Sequence, residues 1–381
     1  MKFFHISDLH LGKRVNEFSM IDNQSDILQK IVILAKEHRP DAVLIAGDVY
    51  DKSTPTIDAV QLLDRFLVWL NELGIAVYLI AGNHDSVERM SFGAELLKHS
   101  HVHIVQTYKG HLKPIKIEDE HGEVNIWMMP YLKPSLVRSC FPDKTIDSYN
   151  DAVSVALSNI KIDNKSRNIL LAHQFVTGAE ISEGSEEIIV GGSENIDGNL
   201  FNDFDYVALG HLHRPQFVGR EAVRYCGTPL KYSFSEIKQQ KSVTVVDLGS
   251  KGCVDISELP LTPQHEMIEI RGTYNEIMNR NFYRKLDTDK DYTHIVLTDE
   301  HDEPDALTKL RNVYKNIISF RYDNKRTQAT ASFESIANLN KNSPVELFSE
   351  LFTAQNGQDM SDIQEKYVTD LFEHIREGAN S

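Results

Sequence analysis

The sequence predicts an α/β fold: a two-sheet sandwich flanked by helices, followed by a small α+β domain and a C-terminal helical hairpin. Three observations support this prediction. Five short apolar runs recur in the first 210 residues, helical segments separate the first three of them, and a different pattern begins after residue 261. Alternation of strands and helices indicates a layered α/β domain.

The five apolar runs are five or six residues long and rich in β-branched or aromatic side chains. Such near-continuous apolar runs are typical of strands that are buried on both faces. Between the first three runs, two segments around Ile31 and Phe66 place apolar residues at helical spacing. The runs are 2–6, 41–46, 76–81, 168–172 and 205–209.

Four further segments alternate or run apolar between turn residues. We expect them to form additional strands, in a second sheet that packs on the first. These segments are 109–119, 123–130, 221–227 and 241–249.

The chain is predicted to have three parts, with boundaries at 1–260, 264–335 and 341–381. A β-α-β-α-β order over 264–335 is typical of a small α+β domain. In the last part, Ser343 and Ser361 each precede an apolar helical stripe and have a Glu or Gln three residues later, which predicts two capped helices. Two short amphipathic helices either dock on the body of the protein or bind a partner.

The amino-acid composition excludes several classes of protein. The chain has 381 residues, and 40 basic against 56 acidic residues give a net charge of −16, which argues against bulk attraction to nucleic acid or anionic lipid. Three cysteines without CxxC spacing exclude a disulfide scaffold and a thiolate zinc site. No apolar run reaches the roughly 20 residues that span a bilayer, so we expect no membrane segment and a cytoplasmic location.

A polar cluster follows each of the five apolar runs. Because strand ends in an open α/β sheet face a common crevice, we expect these clusters to meet at one edge. Carboxylates, imidazoles and one amide suit Mn²⁺, Fe or Zn²⁺, and seven such donors can hold two ions about 3.5–4 Å apart. A lone His is more often structural, so the prediction depends on the whole set. The candidate ligands are Asp8, His10, Asp48, Asn83, His173, His211 and His213.

The motifs DLH, GDVYD, GNHD, AHQ and GHLH, in this order, resemble those of the calcineurin-like metallophosphoesterases. The segments ISDLHLG, VGGSENI, YCGTPLKYSFSE and SPVELF are similar to the SbcD family of bacterial DNA-repair nuclease subunits, and this resemblance covers essentially the whole chain. The resemblance implies a metallophosphoesterase sandwich with 264–335 as a DNA-capping domain.

The resemblance also implies a role for each site residue. Asp8, His10 and His213 would bind one ion, Asn83, His173 and His211 the other, and Asp48 would bridge them. His84 would be the catalytic residue that acts on the scissile phosphate or the leaving oxygen. Asp51 and Asp85 would accept hydrogen bonds that orient the imidazoles. The ions that the resemblance implies are two Mn²⁺.

The implied activity is 3′→5′ exonuclease cleavage of duplex DNA ends and endonuclease cleavage of hairpins and single strands. Candidate phosphate contacts are Lys13, Arg14, Arg89 and Lys231. The implied partners are DNA, a coiled-coil SbcC-type ATPase gripped by 341–381, and a second copy of the chain, giving a heterotetramer. The alternatives are a metallophosphoesterase for a small phosphodiester or a phosphoprotein, and a non-catalytic scaffold on this fold.

Overall fold

Six strands form the first sheet of the computed structural model. They are β1 (Lys2–Ile6), β4 (Ala42–Ala46), β5 (Ala76–Ile80), β6 (Val102–Ile104), β13 (Ser242–Leu248) and β14 (Val254–Pro260). Their order in the sheet is β14-β13-β1-β4-β5-β6. Strands β1, β4, β5 and β6 are parallel to one another, and β13 pairs with β1 in the antiparallel sense. The structure describes residues 1–180, 195–325, 327, 348–349, 352–353, 360–361, 363–368 and 371.

The second sheet also has six strands. They are β7 (Ile115–Asp119), β8 (Gly122–Met128), β9 (Arg167–His173), β10 (Tyr206–Gly210), β11 (Gln216–Val218) and β12 (Arg220–Tyr225). Their order is β11-β12-β10-β9-β8-β7, and the central strands β8, β9, β10 and β12 are parallel.

Six helices accompany the two sheets. They are α1 (Ile21–His38), α2 (Ile57–Glu72), α3 (Val87–Met90), α4 (Ala94–Leu97), α5 (Pro134–Cys140) and α6 (Tyr149–Ser158). Short 3₁₀ turns span Lys98–Ser100, Gly198–Phe201 and Phe234–Glu236.

The two sheets pack face to face with helices on both outer faces, which confirms the predicted sandwich. One apolar core joins the sheets to α1 and α2, and it includes Phe4, Phe66 and Ile169. A second core lies between the other face of the second sheet and α5 and α6.

The distribution of strands between the sheets differs from the prediction. The fourth and fifth apolar runs are β9 and β10 of the second sheet, whereas 241–249 supplies β13 of the first sheet. The expectation that five runs end at one edge of a single sheet is therefore wrong. Periodicity reports that a strand is buried, but the choice of neighbouring strand depends on packing between distant segments.

The C-terminal region contains a three-stranded sheet. Its elements are β15 (Met267–Gly272), α7 (Tyr274–Ile277), α8 (Arg280–Tyr283), β16 (Tyr292–Leu297), α9 (Ala306–Leu310) and β17 (Asn316–Tyr322). The strand order is β15-β16-β17. Two short helices thus occupy the first predicted helical position. A small hairpin of β2 (Arg14–Val15) and β3 (Phe18–Ser19) precedes α1.

Contacts divide the chain into two compact units. One comprises 1–271, 275–295 and 307–320, and the other comprises 272–274, 296–306 and 321–381. The domain boundaries at 260, 264, 335 and 341 stay predictions.

The C-terminal tail is described only in part. Ser343 and two of the four residues of the first predicted stripe, Leu347 and Leu351, lie outside the described residues, whereas the other two, Phe348 and Phe352, are helical. Residues 363–368 are helical, and the Ser361 main-chain N–H donates to Gln364 Oε1 at 2.9 Å, as in one half of a capping box. No helix in the described part of the chain combines the length and apolar character needed to cross a membrane.

Candidate metal centre

The seven candidate ligands meet at the carboxyl ends of five strands from the two sheets. Loops after β1, β4 and β5 supply Asp8, His10, Asp48 and Asn83, while β9 ends at His173 and the loop after β10 supplies His211 and His213. Asn83 is half-buried and the other six are buried. The site therefore forms only where the two sheets face each other.

Four of these residues have strained backbone. Positive φ angles occur at Asp8 (53°), His10 (43°), Asp48 (47°) and His211 (110°). Non-glycine residues seldom adopt this region, and where they do the surrounding structure must hold them there, often at functional sites. All four of these strained residues are candidate ligands.

Glycines allow the strand ends to approach one another. A Cβ atom at Gly82 would lie 2.2 Å from Asp48 Oδ1, and one at Gly210 would lie 2.0 Å from the Ala46 carbonyl oxygen. Both separations are impossible for a real side chain. The GNHD and GHLH motifs thus need glycine at these positions for close backbone approach.

One donor group, which we call the first donor group, contains Asp8, His10 and His213. The Nε2 atoms of His10 and His213 are 3.2 Å apart, and candidate ligand atoms of all three residues lie within 4.8 Å of one another. Asp8 Oδ1 also accepts a hydrogen bond of 3.0 Å from the His211 main-chain N–H, which ties the loop after β1 to the loop after β10 across the sandwich.

The second donor group contains Asn83, His173 and His211. Asn83 Oδ1 lies 3.0 Å from His173 Nε2 and 3.1 Å from His211 Nδ1. Asp48 lies between the two groups, because its Oδ2 is 3.3 Å from His173 Nε2 and 3.9 Å from His10 Nε2. The structure thus brings all seven residues together. Candidate ligand atoms of Asp8, Asp48 and His173 also lie within 4.8 Å of one another, so the division into two groups stays a prediction.

Burial and mutual charge set the protonation of the site. Burial alone would raise the pKa of Asp48, but the neighbouring imidazoles, His173 foremost, outweigh it and hold that pKa well below its ordinary value. Burial lowers the pKa of His173, yet the Asp48 carboxylate outweighs it and leaves a raised pKa. Burial lowers the pKa of His10 and of His211, the latter to about 3.

This donor set fits divalent cations. The lowered pKa of Asp48 favours its ionised form, and the lowered pKa values of His10 and His211 favour their neutral forms, as metal binding requires. The Asp48 carboxylate favours the protonated form of His173. A cation bound beside Asp48 would supply the positive charge in place of that proton. The donors are all nitrogen or oxygen atoms, which suit divalent cations. They converge because the strands approach one another closely at Gly82 and Gly210.

His84 lies at the edge of this cluster. Its Nδ1 donates to the Asp51 main-chain carbonyl at 2.9 Å, and its Nε2 lies 4.0 Å from Asp48 Oδ2. The hydrogen bond fixes the ring orientation in which Nε2 faces the cluster.

The two predicted supporting carboxylates act differently from the prediction. Asp85 accepts from the main-chain N–H groups of Val49, Tyr50 and Gly82, at 3.0, 2.9 and 2.9 Å, so it fixes loop backbone and does not orient an imidazole. Asp51 Oδ1 pairs with Lys13 Nζ at 3.1 Å and lies 3.8 Å from His10 Nδ1, beyond hydrogen-bond length. The motif spacing could not reveal Val49, Tyr50 and Lys13 as partners because they come from other segments, whereas Gly82 belongs to the same motif as Asp85.

Sequence reasoning missed Glu236 and Lys241. Glu236 is fully buried, and its Oε1 lies 3.1 Å from His213 Nδ1. Burial raises the pKa of Glu236, but the positive charge of Lys241 and the hydrogen bond from His213 outweigh burial and bring that pKa to about 2. The only sequence signal was that Glu236 ends the segment YCGTPLKYSFSE, which has no ligand pattern.

The four candidate DNA contacts have different surroundings. Lys13 is buried, pairs with Asp51 and has its Nζ 5.9 Å from the ring centre of Tyr232, so it belongs to the wall of the site. Lys231 pairs with Glu266 at 2.6 Å. Arg14 and Arg89 are exposed. Their contact with DNA stays a prediction.

Known families and a known protein match most of this chain. The model of the calcineurin-like phosphoesterase family matches residues 1–215, and a model described as the type 5 capsule protein repressor C-terminal domain matches residues 263–356. The SbcD subunit of the SbcCD nuclease from Staphylococcus epidermidis is 30% identical over 383 residues, which cover 99% of this chain and 100% of that protein.

The chain therefore belongs to the calcineurin-like phosphoesterases, a class of phosphoester hydrolases. Within that class it is a member of the family of SbcD nuclease subunits.

Two solved structures are also similar. A dimetal phosphatase from Danio rerio shares 10% identity, with a TM-score of 0.39 over 69% of this chain and 98% of that one. The protein TT1561 of Thermus thermophilus shares 12% identity, with a TM-score of 0.36 over 68% of this chain and 98% of that one. The family assignment rests on the sequence matches and not on these distant likenesses.

Proposed function

We propose that this chain is a two-metal DNA nuclease that works in the cytoplasm with an SbcC-type ATPase. The observation that carries the proposal is the position of Asp48, whose Oδ2 lies between two groups of nitrogen and oxygen donors. Membership of a family that contains a nuclease subunit supports nucleic acid as the substrate.

Each donor group would hold one divalent ion, and we propose Mn²⁺ for both. Asp8, His10 and His213 would hold the first, Asn83, His173 and His211 the second, and Asp48 would bridge them. When bound, such a pair lowers the pKa of a water molecule and neutralises charge on a phosphodiester. The protein contributes fixed ring orientations, a buried site and the proton donor described next.

His84 would donate a proton to the leaving oxygen. The Asp51 carbonyl holds the Nδ1–H group, so Nε2 is the ring atom available to a substrate. The ring would therefore act while protonated on both nitrogens, give the Nε2 proton to the leaving oxygen and become neutral. That Nε2 lies 4.0 Å from Asp48 Oδ2, and this short distance supports a role on a phosphate held beside the proposed bridging carboxylate. A positioned general acid of this kind typically contributes about 10²–10⁴-fold to the rate.

The proposed substrates are duplex DNA ends, cut in the 3′→5′ direction, and hairpins or single strands, cut internally. A chain with net charge −16 needs local attraction for DNA. The exposed Arg14 and Arg89 follow the motifs of His10 and His84, and would hold the phosphate backbone near the centre.

Two sets of exposed apolar side chains support protein partners. At the start of α2 and around α4, Ile57 is 76% exposed, Phe92 is 89% exposed and Leu96 is 77% exposed, which suits a second copy of this chain. In the tail, Ile363 is 82% exposed and Tyr367 is 70% exposed, which suits a helical surface of the ATPase. Two chains and two ATPase subunits would form a heterotetramer.

A gel assay tests the nuclease proposal directly. The full chain, with and without an SbcC-type ATPase, is incubated with blunt, hairpin and circular DNA in Mn²⁺, Mg²⁺ or chelator. We expect Mn²⁺-dependent cleavage of blunt ends and hairpins. Hydrolysis of a small phosphodiester such as bis-p-nitrophenyl phosphate, with no cleavage of any DNA under these conditions, would favour the small-substrate alternative.

The ATPase contact is tested by removing residues 341–381. The shortened chain should keep Mn²⁺-dependent cleavage and lose capture by an immobilised SbcC-type ATPase. Capture equal to that of the full chain would reject the tail as the binding segment.

A further inference from the structure

Glu236 joins one candidate ligand to a buried network of polar groups. Its Oε1 accepts from His213 Nδ1 at 3.1 Å, and its Oε2 accepts from the Thr228 hydroxyl at 3.2 Å. Lys241 Nζ lies 2.6 Å from the same Oε2. Both carboxylate oxygens are therefore engaged, and their partners come from the loop after β10 and from the segment after β12.

Lys241 also closes the network on the ligand itself. Its Nζ donates to the His213 main-chain carbonyl at 2.9 Å and to Gln239 Oε1 at 2.8 Å. Glu236 is thus linked to both the side chain and the backbone of His213. Such a closed set of contacts restricts where the imidazole ring can point.

A buried ion pair of this kind needs an explanation other than stability. Glu236 is fully buried and Lys241 is 3% exposed. Removing two charges from water costs about as much as their attraction returns, so a well-packed apolar pair would stabilise the fold as well or better. A buried carboxylate against a histidine is, however, a common way to fix a metal-binding ring.

The hydrogen bond determines which ring nitrogen is available to an ion. Because Nδ1 of His213 carries the proton that Glu236 accepts, Nε2 keeps its lone pair, and Nε2 is the atom that lies 3.2 Å from His10 Nε2. Within the described residues, His10 Nδ1 has no hydrogen-bond partner. Of the two histidines in the first donor group, His213 is therefore the one whose ring a carboxylate orients.

We propose that Glu236, neutralised by Lys241, is a positioning residue that orients His213 toward the ion of the first donor group. This inference rests on the proposed two-metal function. It predicts that the charge on Glu236 affects one ion and leaves the ion of the second donor group unchanged.

The test measures Mn²⁺ binding to the full, chelator-stripped chain by electron paramagnetic resonance of the free ion. The parent should bind two Mn²⁺ ions. Glu236→Gln should weaken one of them by roughly 10–100-fold and leave the other at its parental affinity. The visible spectrum of the Co²⁺-loaded variant should change at one site, which a general loss of stability would not cause.

Two further variants keep the test decisive. In Glu236→Gln with Lys241→Met, neither charge of the ion pair remains buried, so the thermal midpoint should return toward that of the parent while the weakened Mn²⁺ site stays weak.

Asp205→Asn is the matched control, since this buried carboxylate pairs with Lys251 at 2.7 Å and accepts from the Asn168 main-chain N–H, neither of which is a candidate ligand. It should leave both affinities unchanged.

The outcomes separate the two claims. Parental Mn²⁺ affinities in Glu236→Gln, equal weakening of both ions, or recovery of affinity together with stability in the double variant would each overturn the role of Glu236. Failure of the parent chain itself to bind two ions would reject the two-metal function, and the role of Glu236 with it.

Discussion

The two halves of the candidate metal centre are held in place by different kinds of partner. In the first donor group, His213 is oriented by Glu236, whose charge Lys241 balances. In the second, His173 donates from Nδ1 to the Ala46 main-chain carbonyl at 2.8 Å. A backbone carbonyl is present in any sequence that forms β4, whereas the ion pair needs two particular side chains. The first half is therefore the one in which the orientation of a ligand depends on side chains outside the ligand set.

The largest effect is expected from the group that the two halves share. Asp48→Asn removes the carboxylate charge between them, so both ions should be lost and DNA cleavage should fall by roughly 10³-fold or more. Metal analysis of the purified variant, beside a cleavage assay, checks this. Retention of both ions at parental affinity would show that Asp48 does not bridge the halves.

The His84 side chain should affect the rate of DNA cleavage but not the binding of either ion. His84→Ala should reduce DNA cleavage by about 10²–10⁴-fold, because it removes the proposed proton donor, while two Mn²⁺ ions stay bound. The measurement is single-turnover cleavage with saturating Mn²⁺, and His84→Gln is the matched variant that keeps a polar side chain. Cleavage at the parental rate would mean that another group protonates the leaving oxygen.

Single ligands should separate the halves. His213→Ala is expected to cost the ion of the first donor group, and His173→Ala that of the second, so each variant should bind one Mn²⁺ where the parent binds two. Isothermal titration with Mn²⁺ provides the count. If either substitution released both ions, the two groups would be one cooperative site and the contrast between them would disappear.

The smallest effect concerns stability and pH, and it should be confined to the first half. The pKa of Glu236 is about 2 in the folded protein against an ordinary 4.5, so its contribution is complete above pH 4.5 and is lost as pH falls toward 2. A shift of this size corresponds to on the order of 3 kcal/mol.

Glu236→Gln should therefore lower the free energy of unfolding more at pH 7 than at pH 3. Urea unfolding of parent and variant in chelator at both pH values measures the difference. A loss of the same size at both pH values would mean that Glu236 is not ionised in the folded chain. The double variant with Lys241→Met should recover most of the loss at pH 7.

The candidate ligands were predictable from the sequence because each motif is local. Strand ends can be recognised from apolar runs, and the donor atoms that follow them lie at the carboxyl ends of strands, where ligand sites form in α/β folds. The contacts made by the other polar residues around those ligands were not predictable. Asp85 binds backbone N–H groups of two loops, and Lys13 turns inward to Asp51, although spacing along the chain suggested other roles for both.

The chemistry of the site was already present in the order of the amino acids, since the residue types that follow each strand are nitrogen and oxygen donors suited to a pair of divalent ions. Folding added what the order of residues does not show: which strands share a sheet, which donors face each other across Asp48, and that Glu236 lies behind His213. The difference is one of range. Strand formation and the identity of the donors are properties of a few consecutive residues, whereas sheet membership and buried polar contacts depend on packing between segments separated by tens to hundreds of residues.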